Sequence, residues 1–362
     1  PNTYDMSKVL AVLETGGDDT YTWSSRKPGD PTSLLQVIID LHGNDRYTGA
    51  SFAGPAVGVL GLSIVDDRAG DDVYETSGPM GIAAGLFGTG ILIDSSGNDT
   101  YLATDPRAHW SLGAALYGTG LLIDREGNDL YKGNSLTLGA AGPFAFGTVI
   151  DASGNDSVSA LHRSIGFGTG IPHFAAGGLG AFYDLEGDDT YQGHQHTLAS
   201  GMHFGMGVLR DSAGNDTYAA TINSLAAASH QGVAFFTDDQ GTDSYTGPLN
   251  SLAAATDQSI ALFLDTSGND SYFTRDISLA SASDHSLALF LDLAGNDAYA
   301  TQGATIKGRS GSNTLHFDQT QLFSFSFFMD AGGDNNHPAQ RTGSINPDAP
   351  ATSQAWGVTI DR

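Results

Sequence analysis

Asp94-Ser95-Ser96-Gly97-Asn98-Asp99-Thr100-Tyr101 is the stretch whose reading decides the fold, because its pattern D-x-x-G-[ND]-D-x-Y returns along the whole chain. Copies open at Glu14, Asp40, Asp67, Asp94, Asp124, Asp151, Asp184, Asp211, Asp238, Asp265 and Asp292, spaced by 26, 27, 27, 30, 27, 33, 27, 27, 27 and 27 residues. The fourth position is Gly and the sixth is Asp in all 11 copies; the eighth is Tyr in 10, with Val158 the exception. A fixed period of this length marks a repeat architecture, so it takes precedence over any local assignment.

Outward from the motif, each copy is preceded by a short apolar run such as Ile91-Leu92-Ile93 or Leu289-Phe290-Leu291. The residue two before the motif is large and apolar (Val12, Leu92, Phe182, Phe236, Phe290), and two further back stands a small one (Gly90, Gly120, Gly147, Gly207, Ala261). Alternation with period two puts both columns on one strand face, expected to point inward. A second apolar column falls 14 residues after the motif start, at Leu138, Ile165, Leu198, Leu225, Leu252 and Leu279. No sustained helical stripe appears, and the density of Gly, Ser, Thr and Asn opposes helix. A 27-residue unit of about three short strands and three turns, stacked at roughly 4.8 Å, is one coil of a parallel β-helix. The expectation is an all-β solenoid of eleven to twelve coils, about 50 Å long at that spacing. Residues 1–13 are expected to form an N-terminal cap and 14–302 the solenoid. The segment 303–362 is expected to hold a degenerate coil around Leu322–Asp334 and a C-terminal cap, with Asn346–Pro350 as a loop. A propeller blade needs four strands, and the Leu/Asn signature of leucine-rich repeats is absent.

Composition narrows the partners. The 362 residues carry 15 Lys+Arg against 41 Asp+Glu, a formal charge of −26, which opposes nucleic-acid binding through phosphate neutralisation. No apolar run is long enough for a spanning helix. The chain opens at Pro1 rather than Met, so a processed or trimmed start is expected. With no Cys there are no disulfides and no thiolate metal sites. Only Glu14, Glu75, Glu126 and Glu186 are Glu, so the negative charge is Asp and sits in turns.

Stacking coils aligns motif positions one and six into columns of carboxylates about 5 Å apart, where each neighbouring pair repels by roughly 1 kcal/mol even in bulk water. Over ten such pairs in two columns that approaches a whole domain's stability, and Lys and Arg are too few to offset it. Hard oxygen donors point to Ca²⁺ as the counter-charge. The expected ligands are Asp40 and Asp45, Asp67 and Asp72, Asp94 and Asp99, Asp124 and Asp129, Asp151 and Asp156, Asp184 and Asp189, Asp211 and Asp216, Asp238 and Asp243, Asp265 and Asp270, and Asp292 and Asp297. The competing account has each Asp bonding its own turn's N–H groups without metal. It leaves the 24 Asp at positions one, five and six unexplained, because Asn or Ser would do that without repulsion. For the eighth-position Tyr a stacked aromatic ladder is expected.

The Gly, the following Asn or Asp, the sixth-position Asp (Asp99, Asp129, Asp216, Asp270, Asp297) and the large eighth residue resemble the glycine-rich nonapeptide of the repeats-in-toxin calcium-binding proteins. The resemblance implies Ca²⁺ held between coils by the sixth-position Asp and turn carbonyls. It covers nine residues in each 27; the first Gly of the family pattern is replaced by Asp, and one motif per coil replaces two.

Departures from the period are where a solenoid keeps its specific business. The coil from Asp94 is three residues long in excess and holds Arg107, His109 and Trp110; that from Asp151 is six in excess and holds His162, Arg163 and His173. His162 and Arg163 at offsets 11 and 12, with His194 and His196 at 10 and 12 one coil on, are expected to converge on one exposed face, flanked by Lys132 and with Arg107 and Trp110 at its rim. These four are the candidate catalytic residues, His as base and Arg as carboxylate clamp for a uronate polysaccharide, or the three His as transition-metal ligands. His203 and His230, both at offset 19, are expected to stack. No nucleophile elbow, phosphate loop or paired Glu is present. The functional expectation is a secreted or surface-exposed, calcium-stabilised solenoid serving as a structural or glycan-binding module and not primarily an enzyme. The alternative is a polysaccharide lyase, epimerase or hydrolase. An acidic polysaccharide or surface partner is expected, along with end-to-end or side-by-side self-association through sheet edges.

Overall fold

In a computed structural model, which describes residues 1–24, 34–174, 176–275, 277–301, 309–310, 323–333, 336 and 354–361, the chain is a parallel β-solenoid. Each coil runs from a strand of the wide sheet, through the Asp motif, into the strand bearing the motif's tyrosine. It then turns into a short third strand and returns. Among the described residues the wide sheet has 13 parallel strands, from Ala11–Glu14 to Gln354–Asp361, and the tyrosine sheet has 12, from Thr3–Asp5 to Ala298–Thr301. The third face holds two stacks, Val57–Val59 to Ala115–Leu116 and Phe167–Thr169 to Arg309–Ser310, bridged through Ala141. Register between coils equals the sequence period, as in Ile260↔Leu287 and Asp265↔Asp292.

The wide-sheet strands show why these residues form these elements. In Thr119–Asp124 burial alternates, with Gly120, Leu122 and Asp124 inward. The small column makes room for the third face behind it: a Cβ on Gly120 would meet the Ala114 carbonyl at 2.2 Å. The large column fills the core and, late in the chain, becomes a stack of Phe236, Phe263, Phe290 and Phe328 with centroids 4.9 to 5.0 Å apart. The tyrosines stack beside it at 4.6 to 5.1 Å. Where Val158 interrupts them, Phe182 turns edge-on to Tyr131 and Tyr191 and closes the gap. The offset-14 column is fully buried at Leu138, Ile165, Leu198, Leu225, Leu252 and Leu279.

The first residues already belong to the coil: Thr3–Asp5 pairs with Thr20–Thr22, and Tyr4 stacks on Tyr21 at 5.0 Å as one more rung. Gln36 closes this end, accepting from the Trp23 indole at 2.8 Å and donating to the carbonyls of Met6 and Val9. At the other end Phe323–Asp330 continues the wide sheet in register with Leu287–Asp292, and Gln354–Asp361 pairs with it in turn. The expected loop at Asn346–Pro350 and the Asp334 end of the degenerate motif lie outside the described residues. The excess residues of the long coils sit in corners. Three lie between Leu102 and Ala115, whose partners in the preceding coil are Glu75 and Gly85, and six fall between Thr169 and Leu179, after Arg163 as the position of Ile165 implies. No helix among the described residues is long and apolar enough to cross a membrane.

Candidate metal centre and the irregular coils

The alternation that sends Leu122 inward sends the first residue of the motif inward too. Asp40, Asp67, Asp94, Asp124, Asp151, Asp184, Asp211, Asp238, Asp265 and Asp292 are fully buried, and the sixth-position Asp residues nearly so. In each coil the two carboxylates are held differently. The Tyr74 hydroxyl donates to Asp94 Oδ2 at 2.7 Å, and Tyr101 to Asp124 at 2.6 Å, so the ladder of rings is also a ladder of donors. The sixth-position carboxylate accepts from the backbone of the coil before it: Asp72 N–H donates to Asp99 Oδ1 at 2.6 Å, and Asp99 N–H to Asp129 Oδ1 at 2.6 Å. These bonds use one oxygen of each group. The others, Asp94 Oδ1 and Asp99 Oδ2 in this coil and their equivalents at Asp124, Asp129, Asp211 and Asp216, are buried and meet no donor.

The orphaned oxygens converge. Asp72, Asp94 and Asp99 bring carboxylate oxygens within 4.8 Å of one another, as do Asp99, Asp124 and Asp129, and ten such groups occur among the described residues. Asp45, Asp72, Asp99 and Asp129 each take part in two successive groups, so the clusters form a continuous line inside the turn. Ionising them is costly. Burial first, and the Asp94 carboxylate second, push Asp99 up to about 11. Burial and the first Asp of the same motif push Asp72, Asp129, Asp216 and Asp270 up to about 9. Such a line must hold either protons or cations. The donor set fits a hard divalent cation: every side-chain donor is a carboxylate oxygen, and 4.8 Å is about twice a Ca–O distance, so all three can face one ion.

Three details were not read from the motif. Asp19, sixth residue of the first copy, joins Asp40 and Asp45, whereas the expected ligands began at Asp40; the sixth column alone identifies it. The fifth position does not belong to the cluster: Asp71 and Asp188 lie exposed, and their carboxylates accept from the backbone and amide N–H of Asn98 and Asn215 in the next coil. Asp and Asn are interchangeable in that exposed ladder, which is why the column mixes them. The Gly column has a steric cause. A Cβ on Gly97 would stand 1.6 Å from the Gly70 carbonyl oxygen, and one on Gly154 1.5 Å from that of Gly127, so the turns can stack only as glycine on glycine.

The four candidate catalytic residues are brought to one corner and then divided. His162, in Ser157–Ser164, and His194, in Thr190–Thr197, meet edge to face with centroids 5.1 Å apart and lie exposed beside Arg163. His196 turns away: its Nε2 meets the Asn223 amide at 3.4 Å, its Nδ1 meets Ser200 Oγ at 3.4 Å, and burial with nearby Arg163 lowers its pKa to about 4. Lys132 is exposed in Leu130–Gly133. Arg107 is paired with Asp105 at 2.9 Å. Trp110 lies in the third face, packed against the cluster of Val57, Met80 and Ala84 and that of Ala114 and Phe167. His203 and His230 stack as expected, 5.0 Å apart and 6° from parallel.

No protein-family model, curated protein or solved structure matches this chain.

Proposed function

We propose that this chain is a calcium-stabilised β-solenoid of the cell surface or the extracellular medium, a rigid structural or binding module and not primarily an enzyme. The observation that carries the reading is the line of buried, donor-free carboxylate oxygens. Each coil contributes two Asp to it, a charge of −2, and one divalent cation per coil would neutralise it. When bound, Ca²⁺ supplies that counter-charge and ties coil to coil. The chain's own part is to fix the ligands: tyrosine hydroxyls and backbone N–H groups hold one oxygen of carboxylates such as Asp94, Asp99, Asp124 and Asp129 and leave the other facing its neighbours, while Asp40, Asp67 and Asp265 also accept a backbone N–H of their own turn at the second oxygen. This extends the repeats-in-toxin resemblance with a difference, since here a pair of Asp per coil carries the ligation. Millimolar Ca²⁺ outside cells supports the placement. Elemental analysis after equilibration in Ca²⁺ and desalting tests the reading: about one Ca²⁺ per coil is expected, and a metal-free protein with an unaltered melt in chelator would refute it.

The second reading, a polysaccharide-active face, has in its favour the exposed His162–His194 contact beside Arg163. Turnover of acidic glycans that disappears in the His162→Ala, His194→Ala double variant would establish it over the module.

A further inference from the structure

The third face changes character along the rod. One of its walls is a column of residues with left-handed backbone, linked coil to coil by hydrogen bonds such as Met80 N–H to His109 O and Trp110 N–H to Leu136 O. In the first half it reads Phe52, Met80, Trp110 and Leu136, with φ between 52° and 58°; in the second, Arg163, His196, Asn223 and Asn250, with φ between 47° and 53°, before Ile277 at φ 51° ends the polar run. Asn tolerates this conformation well, but bulky apolar residues occupy the same conformation upstream, so the backbone does not dictate the change. The opposite wall changes with it, from Leu60, Phe87, Tyr117 and Phe144 to Phe204, Gln231 and Gln258, with His203, His230 and Asp257 just before them. The floor falls from Val59 and Leu86 to the small side chains of Ala227–Ser229 and Ala254–Thr256.

The result is an open groove with two hollows of about 260 and 460 Å³ that share His230 as a wall. Asn223, Asn250, Ser229 and Thr256 line the first; Gln231, Gln258 and His173 line the second. His173 arrives on the six-residue insertion, and insertions in repeat proteins map to one face, often the binding face. The groove is also built from beneath: Asp257, 4% exposed, holds His230 Nδ1 at 2.6 Å and thereby fixes the ring in the wall.

We infer that this groove binds an uncharged carbohydrate chain lying along the coils. Its walls offer amides, imidazoles and hydroxyls, which both donate and accept as sugar hydroxyls require, and its floor offers methyl groups to the C–H faces of the rings. Arg163 stands at the upstream end of the wall, but no Lys or Arg lines either hollow, and the protein's field repels anions, so the hollows themselves favour a neutral chain over an acidic one. An extended peptide has no sheet edge to join here, because the floor strands are already paired on both sides. The inference does not depend on which cation fills the Asp line.

Calorimetric titration of the full chain in Ca²⁺ with β-1,4-linked gluco-, xylo- and mannohexaose, and with hexagalacturonate, tests it. At least one neutral hexasaccharide should bind. Asn250→Ala should weaken that binding about tenfold, the scale of one lost hydrogen bond to a ligand. Ser229→Trp, which fills the groove, should abolish it with the melting temperature of the chain unchanged; if that variant fails to fold, Asn250→Ala decides alone. Failure of all three neutral sugars to bind, binding of hexagalacturonate only, or affinity unaltered in the folded variants would overturn the assignment.

Discussion

The coils before about residue 150 and those after it share one backbone, one Asp line and one tyrosine ladder, yet close their third face in opposite ways. Early on, Trp110, Met80 and Leu116 fill it, and Phe87 stacks on Tyr117 at 4.9 Å with Phe144 tilted beside them. Later the same positions are His196, Asn223 and Asn250 over a floor of Ala and Ser. The motif side of the coil varies far less: its tyrosine column breaks once, at Val158, and Phe182 fills that gap. There, each residue meets its own equivalent one coil away, and a change in one rung strands its neighbours. The third face meets solvent, so its side chains are free to vary once the backbone is secured elsewhere. The scaffold lies in the Asp turns; individuality lies opposite.

Removal of Ca²⁺ tests the shared part with the largest expected effect. Each site at 100-fold excess over its dissociation constant contributes about 2.7 kcal/mol, so losing several of them exceeds the 5–15 kcal/mol typical of a domain. Chelation at neutral pH should lower the melting temperature by about 20 °C or more, and hydrogen exchange should rise in both halves together. Exchange confined to one half would break the equivalence of the two.

Substituting the glycine ladder comes next. Gly97→Ala and Gly214→Ala each force a Cβ to 1.6 Å from a carbonyl oxygen of the preceding coil, and each should cost about 3 kcal/mol or more by denaturant titration. Equal losses in the two halves are expected despite their different third faces.

The third face should divide them. Trp110→Ala empties a packed position and should cost about 3 kcal/mol, while His196→Ala, at the equivalent place, gives up two long hydrogen bonds and should cost about 1 kcal/mol. Equal costs would mean that the groove is as tightly packed as the filled half.

The metal-free chain has its own pH dependence, which the same measurements sharpen. Asp72, Asp129, Asp216 and Asp270 titrate at about 9 when folded, against about 3.9 when unfolded. The unfolded state therefore releases these protons first, so the stability they confer is fully present below pH ~4 and is lost as pH rises toward ~9. Melts of chelated protein should fall steadily across that window. With Ca²⁺ present the trend should reverse on the acid side, where protons displace the ion. A chelated protein equally stable at pH 5 and 9 would contradict the buried line. On the same modest scale as the His196 variant, Tyr101→Phe removes the hydroxyl that donates to Asp124 but keeps the ring in the stack, for a cost of about 1–2 kcal/mol.

The sequence by itself determined the coil length, the strand order within a coil, the inward columns and the corner in which the six extra residues lie after Arg163, because each is periodic within one strand or turn. It also contained one fact that only needed extending: alternation along Leu121–Asp124 puts Asp124 on the same face as Leu122, and so inside the protein. What the tertiary structure alone decided lies between coils. Motif positions one and six of neighbouring turns share their free oxygens, while position five faces outward and bonds Asn to Asp. Glycine is required by a carbonyl 27 residues away, and Trp110 and His196 occupy one column despite the unequal coils between them. A single repeat specifies a side chain's direction by local backbone geometry, but the partner it meets depends on how the next coil is set above it, and that register is fixed only when the whole stack packs.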